Sequence, residues 1–346
     1  MKTLTITVPA YNMEDYIEKC LSSMLNPEIE DRLEVLIIND GSTDNTSTIV
    51  SKFCQKKPNV FRLINKKNGG HGSAINRGIE EASGKYFKLV DADDWVNIEY
   101  LVYLMNNIID KLDVDVVASD YDCFSDKTYK VIRKRKATEI SDAYNKILDF
   151  RNNDEISNMV MHSLTIRTSI LRKMPEKIDE NCYYVDAEYV MFPMRYVNTV
   201  YCDAHPVYCY RLCRNGQSMN IKNMQKNIAQ HMLVLYRLVD YYNKLHNDAS
   251  MPISKKKYMA RCVASAIEMQ FQIYISLGFK KGMINIVRDF DTNLKNICPD
   301  AYYSTNKKSI TILRKLNYLV LPLGTIAYFI YKKMRFSKIF GKIFGK

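Results

Sequence analysis

Three carboxylates lie within four residues at Asp91, Asp93 and Asp94, directly after the strand-like run Tyr86–Val90. Carboxylate oxygens are the ligands that hard divalent cations prefer, and such an ion keeps positions open for water and phosphate oxygens. An ion held there would stabilise the negative charge that builds on a departing phosphate group. A solvated acidic turn that caps the next helix explains the same residues, so the motif alone leaves both interpretations open.

Alternating strand and helix patterns surround this motif in the first hundred residues. Short apolar runs predict buried strands, and apolar positions at helical spacing predict helices between them. Alternation of this kind predicts an α/β fold with a mostly parallel sheet flanked by helices. The predicted strands are Leu4–Val8, Leu33–Ile38, Val60–Ile64 and Tyr86–Val90, and the predicted helices are one capped by Asn12, one that carries Ile49, Val50 and Phe53, and one over Ser73–Ala82.

Polar clusters follow three of these predicted strands. They are Pro9–Asn12, Asp40–Asp44 and Asp91–Asp94. In open α/β sheets, ligands bind outside the carboxyl ends of the strands. We therefore expect the three clusters to share one edge of the sheet and to form a site there.

The pattern changes after about residue 113. Val114–Ser119 and Tyr129–Arg133 predict extended segments, residues 141–175 predict mixed helical structure, and residues 183–218 predict irregular, aromatic-rich chain with short strands. Helical periodicity from residue 222 to 297 predicts a helical subdomain over 221–300. Residues 301–346 then form a basic, apolar tail.

Four motifs occur in a fixed order: Thr7–Asn12, Ile37–Asp44, Asn68–Gly78 and the Asp91–Asp93 pair. Together they resemble the inverting family 2 glycosyltransferases, whose nucleotide-binding domain has the GT-A fold. The resemblance covers residues 4–95. It implies a GT-A domain over 1–220, with a nucleotide-binding half at 1–95 and an acceptor half at 96–220, followed by a C-terminal helical extension.

The resemblance also implies a set of residues that bind a nucleotide-sugar donor. Asp91 and Asp93 would hold Mn²⁺ or Mg²⁺, and Tyr11 would stack on a uracil ring unless it faces the core. Asn76 would orient a loop or reach a phosphate, unless it lies on a solvated helix surface. The implied donor-binding residues are Pro9, Ala10, Tyr11, Asn12, Asp40, Gly70, His71, Asn76, Asp91, Ala92, Asp93, Arg211 and Gln217.

A second similarity lies in Tyr184–Tyr189, where the family places an acidic residue three positions before an aromatic one. An inverting transfer needs a general base that deprotonates the acceptor hydroxyl. The resemblance implies that Asp186 is this base. Val185 stands where the family commonly has Glu, and Glu188 competes for the role. His162 is interpreted either as a structural residue or as a contact of acceptor or metal.

The motif Val207–Ser218 resembles the Tyr-x-Tyr-Arg…Gln-Ser segment of the same family. Its Arg211 would neutralise diphosphate oxygens through charge-assisted hydrogen bonds. Gln217 would order the loop over the donor. A strand rich in Tyr and Arg that only packs explains the same residues.

The net charge of +12 is concentrated at one end of the chain. Residues 301–346 contain ten Lys and Arg and no acid, while residues 1–300 are nearly neutral. This distribution argues against a nucleic-acid-binding face and for local contact with an anionic partner. The uncharged stretch Leu316–Tyr331 is short and broken for a membrane span. Apolar residues from Phe336 to Phe344 recur at helical spacing, with lysines on the other face.

Such a segment predicts peripheral membrane contact through residues 316–346. The alternative is that Leu316–Tyr331 packs on the helical subdomain. The nine scattered cysteines and the absence of a signal-peptide pattern predict a cytoplasmic location, at the inner face of the cell membrane.

These observations lead to one main prediction. The chain transfers a sugar, with inversion, from a nucleotide-sugar donor, expected to be UDP-linked, to a hydroxyl of a glycan or lipid-linked acceptor in cell-surface polysaccharide or glycan synthesis. A non-catalytic nucleotide-sugar-binding or scaffold protein on the same fold is the alternative. A nucleotidyltransferase would want a Gly-rich loop with Arg or Lys after the first strand, which Pro9–Asn12 lacks.

Overall fold

A computed structural model of the chain describes residues 2–153, 156, 159–212, 214, 217 and 220–330. The chain divides into two compact units, residues 1–213 and residues 214–346. The first unit contains the sheet and all the strand-end clusters. The second contains the helices that follow residue 220.

Ten strands of the described chain form one sheet in the first unit. The order is β3-β2-β1-β4-β9-β6-β10-β5, with β7 beside β6 and β8 beside β10. Their bounds are β1 Leu4–Ala10, β2 Leu33–Asn39, β3 Phe61–Asn65, β4 Tyr86–Leu89, β5 Trp95–Val96, β6 Val116–Ser125, β7 Val131–Arg135, β8 Ile147–Asp149, β9 Leu164–Arg167 and β10 Thr199–Leu212. β1 to β4 are parallel, as are β6 and β10, whereas β9 runs antiparallel to both β4 and β6.

Six α-helices accompany these strands in the described part of the first unit. They are α1 Ile17–Ser22, α2 Thr46–Lys56, α3 Gly70–Glu81, α4 Ile98–Tyr103, α5 Thr168–Lys173 and α6 Asp186–Met191. Every residue of β1 and of β2 is buried, as expected for central parallel strands that are covered on both faces. The α/β fold class is therefore confirmed, and the four strands predicted in the first hundred residues are present within one or two residues of their predicted ends.

The predicted cap at Asn12 is wrong. Helix α1 begins at Ile17, five residues later, and Asn12 lies in the left-handed region with φ +53°. Its Oδ1 accepts a hydrogen bond from the backbone N–H of Thr43 at 2.9 Å, and its own N–H donates to Ser42 Oγ at 3.0 Å. Asn tolerates this backbone conformation better than most residues. Asn12 therefore links two loops and does not cap a helix.

Two expectations for residues 141–218 also need correction. Residues 141–175 form short strands and single 3₁₀ turns at Ser141–Ala143 and Met161–Ser163, and α5 is their only α-helix among the described residues. The segment expected to be irregular instead contains the helix α6 and the 14-residue strand β10. β10 pairs with β6 over its length, with a register shift between Asp203 and Tyr208. Local patterns do not reveal this pairing, because its partner is about eighty residues away.

The second unit is helical over its described residues. Its helices are α7 Ile221–Lys226, α8 Ile228–His246, α9 Ile253–Ser276, α10 Met283–Ile297, α11 Pro299–Ser304 and α12 Lys308–Lys315, and residues 321–330 are helical as well. Leu321 is buried, and Thr325 Oγ1 donates to the carbonyl of Ile275 at 2.6 Å. Part of the Leu316–Tyr331 stretch thus packs against α9. The basic segment predicted over 336–346 lies outside the described residues.

Candidate active site

The loops after β1 and β2 are joined by hydrogen bonds at the carboxyl end of the sheet. Besides the contacts of Asn12, the N–H of Glu14 donates to Asp44 Oδ2 at 3.0 Å. Asp44 Oδ1 also accepts from the N–H of Thr46, the first residue of α2, at 2.9 Å. Asp44 therefore acts on the start of α2, as a capping residue does.

The first of these loops presents two of its four predicted donor-binding residues to solvent. Pro9 and Ala10 are buried within β1, whereas Tyr11 and Asn12 are exposed. The Tyr11 side chain is 48% exposed, so the interpretation that it faces the core is wrong. An exposed ring at a strand end is available to stack on a flat partner. Its contact with uracil stays a prediction.

Asp40 organises the glycine-rich segment. It is buried, and its Oδ1 accepts from Lys66 Nζ at 2.6 Å and from the N–H of Gly69 at 2.9 Å. Its Oδ2 accepts from the N–H of Gly70 at 2.8 Å. A buried carboxylate with these partners is well satisfied. A direct contact between Asp40 and a nucleobase stays a prediction.

The glycines at the start of α3 allow another part of the chain to approach. A Cβ at Gly72 would lie 2.0 Å from the carbonyl oxygen of Asp179, and Gly70 has φ +82° beside Asn181. The N–H of Asn181 donates to the carbonyl of Gly69 at 2.6 Å. The part of the chain that approaches these glycines is thus the segment before α6. Gly70 remains a predicted donor-binding residue.

Asn76 fixes the same segment from the middle of α3. It is buried, so the solvated-surface interpretation is wrong. Its Oδ1 accepts from the N–H of Ile178 at 3.0 Å, and its Nδ2 donates to the carbonyl of Ile178 at 2.8 Å. This pair of bonds fits the loop-orienting role, while contact with a phosphate is untested.

Asp94 anchors the acidic turn after β4. It is buried, its Oδ2 accepts from the Tyr208 hydroxyl at 2.5 Å, and its Oδ1 accepts from the N–H of Arg211 at 2.6 Å. Burial raises the pKa of Asp94 well above its usual range, and the charges of Asp93 and Asp91 raise it further. The Tyr208 hydroxyl also accepts from the N–H of Asp91 at 3.2 Å. Asp91 and Asp93 are half-buried at the two outer positions of the turn, and Ala92 between them is buried.

Arg211 supports this turn from the other side. Its side chain is 1% exposed, its Nε donates to the carbonyl of Asp93, and one terminal nitrogen donates to Asp126 Oδ1 at 2.9 Å. Its guanidinium lies 5.1 Å from the Trp95 ring centroid and 5.3 Å from that of Tyr129. Arg211 thereby fixes the backbone at Asp93, and its predicted contact with a diphosphate is untested. Gln217 belongs to the second unit, where its carbonyl accepts from Asn223 Nδ2 at 2.8 Å.

The turn carries carboxylate oxygens, the kind of ligand that a hard divalent cation prefers. Oxygens of Asp91 and Asp94 and a ring nitrogen of His162 lie within 4.8 Å of one another. Both oxygens of Asp94 already accept hydrogen bonds, which makes Asp94 a poor ligand. Asp91 and Asp93, each half-buried, suit an ion such as Mg²⁺ or Mn²⁺ better.

His71 lies between the strand-end clusters. Its Nε2 is 3.8 Å from Asp91 Oδ1. Burial lowers the pKa of His71, while the charges of Asp186, Asp93 and Asp40 act in the opposite direction. Asp40, Asp93 and Asp186 are predicted to bind the donor, to bind the metal and to act as the general base. All three therefore lie close enough to His71 to affect its pKa.

Asp186 and Glu188 have different surroundings although they are two residues apart. Asp186 is exposed to solvent at the start of α6. Neighbouring protein atoms still desolvate its carboxyl and raise its pKa, whereas the charge of His71 lowers it. Glu188 is buried, and its Oε2 accepts from the N–H of Asp179 at 2.8 Å. Burial raises the pKa of Glu188 to about 8, and the charge of Asp186 raises it further. Of the two carboxyls, Asp186 is the accessible one.

Two supporting residues of the site, Lys88 and Tyr208, are not predicted from the sequence. Lys88 is fully buried and donates to the carbonyls of His162 at 3.1 Å and Leu164 at 3.2 Å, and burial lowers its pKa to about 7. The sequence signal for Lys88 is a lysine inside an otherwise apolar strand, because a buried charge needs dedicated hydrogen-bond partners. Tyr208 was part of a recognised motif, but its bond to Asp94 depends on the pairing of β10.

Comparisons with known proteins identify the family of residues 5–174. The model of the family described as Glycosyl transferase family 2 matches residues 5–174. EpsH of Bacillus subtilis is 28% identical over 245 residues, 67% of this chain and 67% of its own length, and its name describes it as a glycosyltransferase. The chondroitin synthase of Pasteurella multocida is 28% identical over 241 residues, 67% of this chain but only 23% of its own length.

Among solved structures, residues 1–349 of TarS from S. aureus, in complex with UDP-GlcNAc, have a similar fold. The TM-score is 0.62 at 21% identity, over 95% of this chain and 89% of that one. At this identity the similarity concerns the fold alone.

A Glu188→Gln variant tests the protonation of the buried carboxyl. The pKa of Glu188 is raised from 4.5 to about 8 on folding, so the folded chain holds this proton more tightly than the unfolded chain. The stability that the proton contributes is full below the unfolded pKa and is lost as pH rises through the folded pKa. We expect the free energy of unfolding of the wild type, from urea titration, to fall relative to that of Glu188→Gln between pH 4.5 and pH 8. A difference that stays constant across this window would contradict the assignment.

Proposed function

We propose that the chain, a glycosyltransferase whose residues 5–174 match glycosyl transferase family 2, moves a sugar from a UDP-linked donor to an acceptor hydroxyl with inversion at the anomeric carbon. One observation carries the proposal. The turn with Asp91 and Asp93, the imidazole of His71 and the accessible carboxyl of Asp186 adjoin one another at the edge where the loops after β1 and β2 end.

The donor would bind along the loops after β1 and β2. Exposed Tyr11 offers a ring for the uracil, and Asn12 joins its loop to the next one, which makes the surface rigid. A preorganised site loses less entropy when it binds its ligand. That TarS has been solved with UDP-GlcNAc supports a uridine-linked donor for this chain.

Asp91 and Asp93 would hold Mn²⁺ or Mg²⁺. The bound ion would neutralise charge on the diphosphate as it leaves. The chain's own contribution is to fix the two carboxylates, through Asp94, Tyr208 and Arg211, before the donor arrives.

Asp186 would act as the general base. In one displacement, the acceptor oxygen forms a bond to the anomeric carbon while the bond from that carbon to the diphosphate oxygen breaks, and its electron pair leaves with the diphosphate. The hydroxyl proton passes to the Asp186 carboxylate. A raised pKa suits this role, because a base is most effective when its pKa approaches the working pH.

The acceptor is proposed to be a glycan or lipid-linked precursor of a cell-surface polysaccharide. The relatives include a chondroitin synthase, and family 2 members make cell-surface polysaccharides. The chain spans less than a quarter of that synthase, so this part of the proposal rests on the glycosyltransferase domain alone.

The experiment is a screen of nucleotide sugars for diphosphate release in the presence of Mn²⁺, followed by transfer assays with the best donor. We expect Asp186→Asn to lower kcat by roughly 10²- to 10⁴-fold with little change in donor KM, the range usual for loss of a general base. Asp142→Asn, at an exposed acid in the same unit, is the matched control and should behave as wild type.

Two outcomes would count against this proposal. A folded wild-type protein that releases diphosphate from no donor would contradict the activity itself. If Glu188→Gln loses transfer while Asp186→Asn keeps it, the base has been assigned to the wrong residue.

We further propose that residues 316–346 contact the cell membrane from its cytoplasmic side. Apolar side chains at three- and four-residue spacing are exposed, among them Leu319 at 68% and Leu323 at 64%. Leu316 and Leu323 also line an apolar groove of about 610 Å³ against α9. Within the described residues, no helix is long and apolar enough to span a bilayer. Arg314 pairs with buried Asp291, and the other nine basic residues after 300 favour an anionic surface, at on the order of 1 kcal/mol for each one that lies near it.

Liposome sedimentation tests the membrane contact. With vesicles rich in anionic lipid, we expect the double variant Leu319→Glu, Leu323→Glu to bind at least tenfold more weakly than wild type, because both changes place charge in the apolar face. Ile253→Glu changes an equally exposed residue at the far end of α9 and serves as control. Equal binding by the double variant and wild type would refute the contact.

A further inference from the structure

Four aromatic rings gather beside the acidic turn. The His162 ring lies 5.2 Å from Tyr121 in a stacked arrangement, 4.3 Å from Tyr210, and 4.8 Å from Tyr208 edge-on, all between centroids. Tyr121 pairs with Tyr208 in the register of β6 and β10, so both project from the same face of the sheet. The cluster thus forms on strands far apart in sequence.

The cluster adjoins the reaction centre proposed above. A ring nitrogen of His162 lies within 4.8 Å of carboxylate oxygens of Asp91 and Asp94. The Tyr208 hydroxyl bonds to Asp94 directly. The aromatic rings therefore lie directly beside the acidic turn that carries the carboxylates proposed to bind the ion.

The strand order places the cluster opposite the proposed nucleotide loops. Those loops follow β1 and β2, which lie on one side of β4. The rings belong to β6, β10 and the turn before β9, which lie on the other side of β4. A donor bound along β1 and β2, with its diphosphate at the end of β4, would direct its sugar toward this second side.

Three of the rings remain partly accessible and uncharged. Tyr121, His162 and Tyr210 are half-buried, whereas Tyr208 is fully buried. Burial lowers the pKa of His162 to about 3, and the charge of Lys88 lowers it further, so the imidazole is neutral at physiological pH. Lys88 also donates to the backbone carbonyls of His162 and Leu164, which holds the turn in place.

We propose that Tyr121, His162 and Tyr210 form the acceptor subsite, a platform on which the apolar face of a pyranose ring stacks. Flat, rigid rings give such contact area at little cost in side-chain entropy. Burial raises the pKa of Tyr210, and the charges of Asp94, Asp91, Asp93 and Asp186 raise it further, so this ring stays uncharged. The inference rests on the proposed glycosyl transfer.

The experiment measures donor and acceptor KM separately. The probes are the best donor from the hydrolysis screen and a panel of p-nitrophenyl pyranosides with gluco, galacto and N-acetylgluco configurations. We expect Tyr210→Ala to raise acceptor KM at least tenfold and to change donor KM less than twofold, whereas Tyr210→Phe keeps most of the acceptor affinity. Tyr11→Ala should show the opposite split, and Tyr303→Ala, at an exposed ring in the second unit, should match wild type.

Failure of this inference can be told apart from failure of the proposed function. If wild type releases diphosphate from no donor, the function itself is wrong. If wild type hydrolyses a donor, yet no pyranoside accepts its sugar or slows its hydrolysis, the acceptor assignment is wrong. An unchanged acceptor KM in Tyr210→Ala would also overturn it. Should Tyr210→Ala fail to fold by circular dichroism, Tyr121→Ala replaces it with the same expected split.

Discussion

The buried carboxyl of Asp94 is the interaction on which the site depends. It accepts hydrogen bonds from the Tyr208 hydroxyl and the Arg211 backbone, both on β10, and so ties the end of β4 to a strand more than a hundred residues away. A buried polar group of this kind is costly unless it is fully satisfied. The same contacts hold Asp91 and Asp93 at the edge of the sheet, where the other loops end. An acidic turn without these partners would be free to move.

Much of the first half of the site could be predicted from the sequence, because its information is local. Parallel strands that are buried on both faces appear as short apolar runs, and polar residues at their carboxyl ends must meet at one edge. The predicted strand from Leu33 and the acidic turn at Asp91 follow from this reasoning alone. Family resemblance then added Asp186, which no periodicity indicates, and its role as the base remains a prediction.

The rest could not be predicted because it depends on contacts between distant segments. The 14-residue strand β10 is stabilised by pairing with β6. Without knowledge of that pairing, its aromatic-rich sequence is typical of an irregular segment. Gly70 is a predicted donor-binding residue, whereas the backbone that lies beside it is that of Asn181. Asn12 resembled a helix cap, but its partner is the N–H of Thr43. In each case the partner, not the residue type, decides the role.

The central claim is that Asp93 and Asp91 couple a divalent ion to the nucleotide diphosphate. Isothermal titration of UDP, with and without Mn²⁺, measures this coupling most directly. We expect Mn²⁺ to strengthen UDP binding at least tenfold in the wild type and in Asp142→Asn, and to leave it nearly unchanged in a folded Asp93→Asn variant. Equal strengthening by Mn²⁺ in Asp93→Asn and the wild type would contradict it.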